Sequence, residues 1–136
     1  MRNRTVLVTG GTGALGTAVV EVFLDAGWRV ACTWMLPGER ERMGEREGLE
    51  LIEADLFHEE QVTAAVREAA SIDDAPLRAV ANLVGGYLAG PRVDETTLEE
   101  FEGQLRLNVR PTFLVTRAAL PALVEAGGGE IVCMSA

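Results

Sequence analysis

The 136-residue chain has no lysine: its twelve basic residues are all arginine. Set against 21 acidic residues, they leave a net charge of −9. That balance excludes the basic face that nucleic acid wants, and argues equally against an anionic membrane surface. With one histidine, two cysteines and no Cys-x-x-Cys spacing, no metal site is expected. Glycine or charge interrupts every apolar run before it reaches the length of a bilayer span. A strand pattern begins almost at residue 1, so no signal peptide is expected. Cys32 and Cys133 both fall in strand patterns and read as buried, reduced thiols, which points to the cytoplasm.

What is present is apolar and alternating. Hydrophobic residues make up 48% of the chain, enough for one domain with a sizeable core. A first strand, Thr5–Val8, leads to a helix from about Ala14 to Ala26. There Leu15, Val19, Val22 and Phe23 share one face, and Gly27 closes the end. Strand two is Arg29–Thr33. A Pro37-Gly38 loop and the charged stretch Glu39–Glu47 follow, the latter either a short exposed helix or a solvated loop. Strand three, Leu49–Ala54, precedes a helix over Glu59–Ala70 with Val62, Ala65, Val66 and Ala69 inward. Strand four, Ala79–Val84, is a continuous apolar run of the kind buried on both faces. Thr96 and Thr97 each precede a glutamate by three residues, a helix-start signature. A short helix there should lead into a long one near Leu105–Glu125, kinked or restarted at Pro111. Strand five is Glu130–Met134. Strands and helices in alternation predict an α/β fold with a doubly wound parallel sheet, Rossmann-like, over residues 1–136.

The stretch Thr9-Gly10-Gly11-Thr12-Gly13-Ala14-Leu15-Gly16 joins the first strand to the first helix. A dinucleotide loop needs a tight turn, close backbone approach to the pyrophosphate and close packing of helix on sheet. Gly10, Gly13 and Gly16 are suited to those needs, and free N–H groups opening the helix then face the phosphates. The position between strand and helix strengthens a pattern that is weak by itself. The loop is not a Walker loop, because Gly-Lys-Ser/Thr is missing.

Here the sequence resembles the short-chain dehydrogenase/reductase family. Thr9-Gly10, three residues, Ala14, one residue and Gly16 fit its cofactor loop. Asp55-Leu56 looks like its Asp-hydrophobic pair, and Asn82-Leu83-Val84-Gly85 looks like its Asn-Asn-Ala-Gly motif. Leu107-Asn108-Val109, with Leu120-Pro121 downstream, is similar to the helix bearing its active-site asparagine. Gly129 to Ser135 resembles the strand leading to its catalytic serine, although the register puts Ala136 where that serine normally falls. Within the family, Gly10–Gly16 and Val84-Gly85-Gly86-Tyr87 look most like dihydropteridine reductase and its bacterial relatives.

The resemblance implies an oxidoreductase moving a hydride between NADP or NAD and a carbonyl or alcohol. It implies cofactor contacts from Gly10, Thr12, Gly13, Leu15, Gly16, Trp34, Asp55, Leu56, Asn82, Val84 and Gly85, with Asn108 and Ser135 on the catalytic side. Thr33-Trp34-Met35 puts no acid near Trp34, while Arg40 and Arg42 follow, so the expectation leans to NADP. The family's Tyr-x-x-x-Lys lies beyond strand five and is absent here. Tyr87 has no lysine in the chain to favour its phenolate, so it reads as a substrate-side or packing residue, not an acid. His58 reads as a surface residue. The expectation is therefore a fold truncated after strand five, inactive alone and poorly stable until a C-terminal segment or second chain completes it. A homodimer or homotetramer is expected through the long helix. A non-catalytic NAD(P)-sensing module on the same fold stays open, because sites and not folds carry function.

Overall fold

A computed structural model describes residues 2–87 and 89–135. Ala136, the register position of the family's serine, lies outside the described residues. The elements are β1 (Thr5–Thr9), α1 (Ala14–Asp25), β2 (Arg29–Trp34), α2 (Pro37–Met43), β3 (Leu49–Glu53), α3 (Glu59–Ala69), β4 (Leu77–Asn82), α4 (Leu98–Asn108), α5 (Arg110–Glu125) and β5 (Glu130–Cys133). A single 3₁₀ turn, Val93–Glu95, precedes α4. The five strands pair in parallel in the order β3-β2-β1-β4-β5, the Rossmann-like sheet the alternation predicts.

Side chains of the central strands alternate between two cores. On one face Val6, Val8, Val30 and Cys32 pack against Val20 of α1 and Met43 of α2. On the other, Leu7, Ala31, Ile52 and Val80 meet Val62, Ala65, Val66 and Ala69 of α3, with Leu114, Val115, Ala119 and Leu123 of α5. The charged stretch after Pro37 is a helix through Met43 and a loop beyond it. Thr97 is the N-cap of α4, taking the Glu100 N–H while the Glu100 carboxylate takes the Thr97 N–H at 2.7 Å. Thr96 instead donates to the Arg92 carbonyl across the 3₁₀ turn.

α1 and α5 stop in the same way, at Gly27 and at Gly127, which takes φ +87°. Gly27 takes φ +79° as α1 ends, where its N–H bonds the Leu24 carbonyl and the Trp28 N–H bonds that of Phe23. The Phe23 and Trp28 rings then meet edge to face at 5.1 Å, the apolar contact that accompanies this Schellman turn.

The structure corrects four sequence expectations. The inward stripe of α1 is Gly16 and Val20, flanked by Val19, Phe23 and Leu24, whereas Leu15 is 51% and Val22 67% exposed. The helix makes its closest approach through Gly16, against the glycine loop, so the spacing of large apolar residues points about one position off. The long helix starts at Arg110 and not Leu105, because Pro111 has no N–H to bond the Leu107 carbonyl and sits where a new helix begins. Val109 joins the two helices, donating to Leu105 at 2.8 Å and accepting from Phe113 at 2.9 Å. β4 starts at Leu77 and ends at Asn82, leaving Leu83 and Val84 free to turn toward the glycine loop. Cys133 is exposed rather than buried, since β5 is an edge strand with little packed over it.

Candidate functional site

Strand order reverses between β1 and β4, and the crevice of an open α/β sheet lies at the carboxyl ends of the strands at such a point. Here the chain leaves β1 through Gly10, whose φ of +69° is a left-handed conformation that disfavours any side chain. A Cβ on Gly10 would also lie 2.9 Å from the Leu83 carbonyl carbon and 3.0 Å from the Val84 nitrogen. The glycine loop is thus pressed against the loop that follows β4. The Thr9 hydroxyl accepts the Leu83 N–H at 3.3 Å across the same seam.

Gly16 makes the second close approach: a Cβ there would collide with the Gly10 carbonyl and the Gly11 backbone. This contact holds the first turn of α1 against the loop. The first intrahelical bond runs from the Thr17 N–H to the Gly13 carbonyl at 2.8 Å. The N–H groups of Ala14, Leu15 and Gly16 precede it and point out of the helix end with its positive dipole, a seat for an anion. Gly13, the extended N-cap, meets only the Gly10 carbonyl, at 3.6 Å, so its surface is open to close approach. Gly11 has a role that the sequence pattern did not single out: its missing Cβ would lie 2.5 Å from Cys32 Sγ. Burial there pushes the Cys32 thiol up to about 11, against the lowering effect of a hydrogen bond from the Gly11 backbone.

Two hollows flank the seam. One, of about 140 Å³, is lined by Gly10, Thr12, Trp34, Glu39, Leu56 and Val84 among others. Asp55 stands beside it, its carboxylate accepting the Phe57 N–H at 3.0 Å and lying 3.4 Å from His58 Nε2. His58 is otherwise a surface residue. The second hollow, a cleft of about 590 Å³, takes Val84, Gly85, Tyr87, Asn108, Met134 and Ser135 into its walls. Val84 lines both, so the two hollows adjoin in the crevice at the ends of β1, β4 and β5.

Of the expected residues, Gly10, Thr12, Trp34, Leu56, Val84, Gly85, Asn108 and Ser135 line the two hollows, whereas Gly13, Leu15, Gly16, Asp55 and Asn82 lie beside or beneath them. Leu15 contributes its N–H and not its exposed side chain. Asn82 lies beneath the floor, fully buried, its amide nitrogen donating to Thr116 Oγ1 at 3.2 Å while its Oδ1 has no partner among the described residues. The Asn108 amide is engaged on both sides: Oδ1 accepts the Gly86 N–H at 2.9 Å and Nδ2 donates to the Gln104 carbonyl at 3.1 Å. It ties the end of α4 to the loop after β4. Tyr87 is 87% exposed in this chain and lies on the cleft wall. Glu39 was read only as part of a charged run. Its carboxylate accepts the Thr12 hydroxyl at 2.9 Å, the Met35 N–H at 2.9 Å and the Leu36 N–H at 2.7 Å. Burial works to raise its pKa, but those hydrogen bonds and nearby Arg42 outweigh it and hold the group below the usual range. A signal was available in sequence, since Glu39 stands three residues after the cap position Leu36.

The short chain dehydrogenase family profile matches residues 4–136. The probable galactose dehydrogenase of Rhizobium meliloti is 34% identical over 143 residues, covering 99% of this chain and 54% of that protein. A blue fluorescent protein from a metagenomic library, solved in complex with NADPH, is 28% identical with a TM-score of 0.73, covering 96% of this chain and 54% of that one. The protein ElxO, solved with NADP bound, superposes with a TM-score of 0.85 at 23% identity, a likeness of fold, covering 95% of this chain and 54% of that one. The chain spans about half the length of the curated relatives it matches. Among the described residues no helix is long and apolar enough to cross a membrane.

Proposed function

The chain belongs to the short-chain dehydrogenase family, and on that premise we propose that residues 1–136 are the cofactor-binding portion of an oxidoreductase. The reaction is hydride transfer between NADP or NAD and a carbonyl or alcohol substrate. The observation that carries this reading is the seam itself. A left-handed glycine and a helix N-terminus meet the loop after β4 at the reversal of strand order, beside a hollow with mixed polar and apolar walls.

The residues present fit a dinucleotide. Gly10 and Gly13 let the backbone approach a pyrophosphate, and the N–H groups of Ala14, Leu15 and Gly16 hold it. Thr12 and Trp34 would flank the adenosine ribose, and Asp55 with Leu56 the adenine. Val84 and Gly85 would line the nicotinamide end, with Asn82 buried beneath them as support. Once bound, the dinucleotide supplies the hydride. The protein positions the substrate in the larger cleft, where Ser135 offers a hydroxyl and Asn108 fixes the wall. With no lysine in these 136 residues to favour a tyrosinate, this portion is expected to bind a dinucleotide without turning over. NADP is the favoured cofactor, supported by Arg40 and Arg42 after β2 and by the NADPH complex of a 28%-identical relative. A cytoplasmic homodimer or homotetramer would cover the exposed apolar residues of α4 and α5.

Titration of the chain with NADPH and NADH tests this. Saturable binding of at least one, without NADPH oxidation on adding aldehydes or ketones, is expected. Saturable binding of neither contradicts it.

A further inference from the structure

The hollow between the glycine loop and the end of β2 contains a charge of the wrong sign for a phosphate. Glu39, on the first turn of α2, reaches back over the β2–α2 loop into the wall of the hollow. One carboxylate oxygen takes both the Met35 and Leu36 N–H groups, and the other takes the Thr12 hydroxyl of the glycine loop. These three donors border Trp34, where the residues after strand two distinguish a ribose hydroxyl from a ribose phosphate. No arginine forms a salt bridge with the carboxylate among the described residues. Arg40 lies 5.8 Å from the centre of the Trp34 ring, and Arg42 acts on Glu39 only through its charge.

We propose that Glu39 is a specificity-determining residue that weighs against the 2′-phosphate of NADP. The inference rests on the dinucleotide reading of the site. A phosphate arriving at this ribose meets a fixed anion and finds three donors already taken, so Glu39 must swing out before the phosphate is held. A ribose hydroxyl carries no charge and donates to the carboxylate where it stands. Arg40 and Arg42 pull the other way, and the cofactor preference is the balance of these charges. The structure thus assigns to an acid on α2 the discriminating role that the sequence leaves empty at Trp34.

The test compares NADPH and NADH affinities of the wild-type chain, Glu39→Gln and Glu41→Gln, by calorimetric titration at one ionic strength. The glutamine keeps an acceptor for the loop donors and removes the charge. Glu41 lies on the same helix but lines a different hollow, so its variant measures bulk charge alone. The ratio of NADPH to NADH affinity should rise about tenfold in Glu39→Gln, as expected for one unit charge a few ångströms away, and by less than twofold in Glu41→Gln. An unchanged ratio in Glu39→Gln, or an equal rise in both variants, overturns the proposal while leaving the dinucleotide site intact. If the wild-type chain binds neither dinucleotide, the functional reading falls and this inference with it.

Discussion

The two halves of the sheet differ in how well they are covered. From β1 to β3 the strands lie between α1 and α2 on one face and α3 on the other, and Val6, Val8, Val30 and Ala31 are fully buried. Beyond β4 the cover thins. α4 buries none of its residues, β5 is mostly exposed, and Phe101, Leu105, Phe113 and Val124 face outward. The first half contains the glycine loop, the hollow of about 140 Å³ and Glu39. The second contains the larger cleft with Asn108 and Ser135. In this chain the glycine-loop side of the crevice is therefore built on a covered core, while the side holding Asn108 and Ser135 is built on an edge strand. Local stability follows buried contacts, so the two sides should respond differently to the same kind of perturbation.

The largest effect is expected at the loop that the covered half supports. Gly16→Val drives side-chain atoms into the Gly10 and Gly11 backbone. It should destabilise the chain by about 3 kcal/mol or more in urea unfolding and abolish dinucleotide binding. A variant that still binds NADPH or NADH would show that the close approach is dispensable. Next comes a paired truncation. Leu7→Ala, in the covered core, should cost about 3 kcal/mol, whereas Phe113→Ala, on the open face, should cost less than about 0.5 kcal/mol in this chain. Equal costs would erase the distinction between the halves.

The smallest effect concerns the two thiols. Cys133 should react with iodoacetamide in the native chain and Cys32 should resist until unfolding. Because the folded Cys32 pKa is raised from 9.0 to about 11, the native state keeps a proton that the unfolded chain releases. Its contribution is full below about 9 and is lost as pH rises toward about 11, which unfolding midpoints across that range would reveal. A flat profile would mean that Cys32 is not sealed by Gly11.

Much of this was legible in the sequence because the covered half follows local rules. Period-two and helical spacing located β1, β2, β3 and α3, and the glycines marked the loop. The errors share a cause. The α1 stripe was misplaced because its tightest contact is a glycine, which hydrophobic spacing ignores. Cys133 was placed inside because an apolar strand reads the same at an edge as at the centre. The site residues drawn from a contiguous motif fell around the crevice, but Glu39 did not stand out. Its contact with Thr12 depends on α2 folding back over the β2–α2 loop, a tertiary event that a charged run does not announce.

Amide hydrogen exchange of the 136-residue chain, with and without saturating NADPH, tests the contrast most directly. The account predicts slow exchange in β1, β2 and β4, fast exchange in α4 with or without cofactor, and new protection on binding across residues 10–17 and 34–39. Exchange at residues 10–17 that is unchanged at saturation, or α4 amides as protected as those of β1, would contradict it.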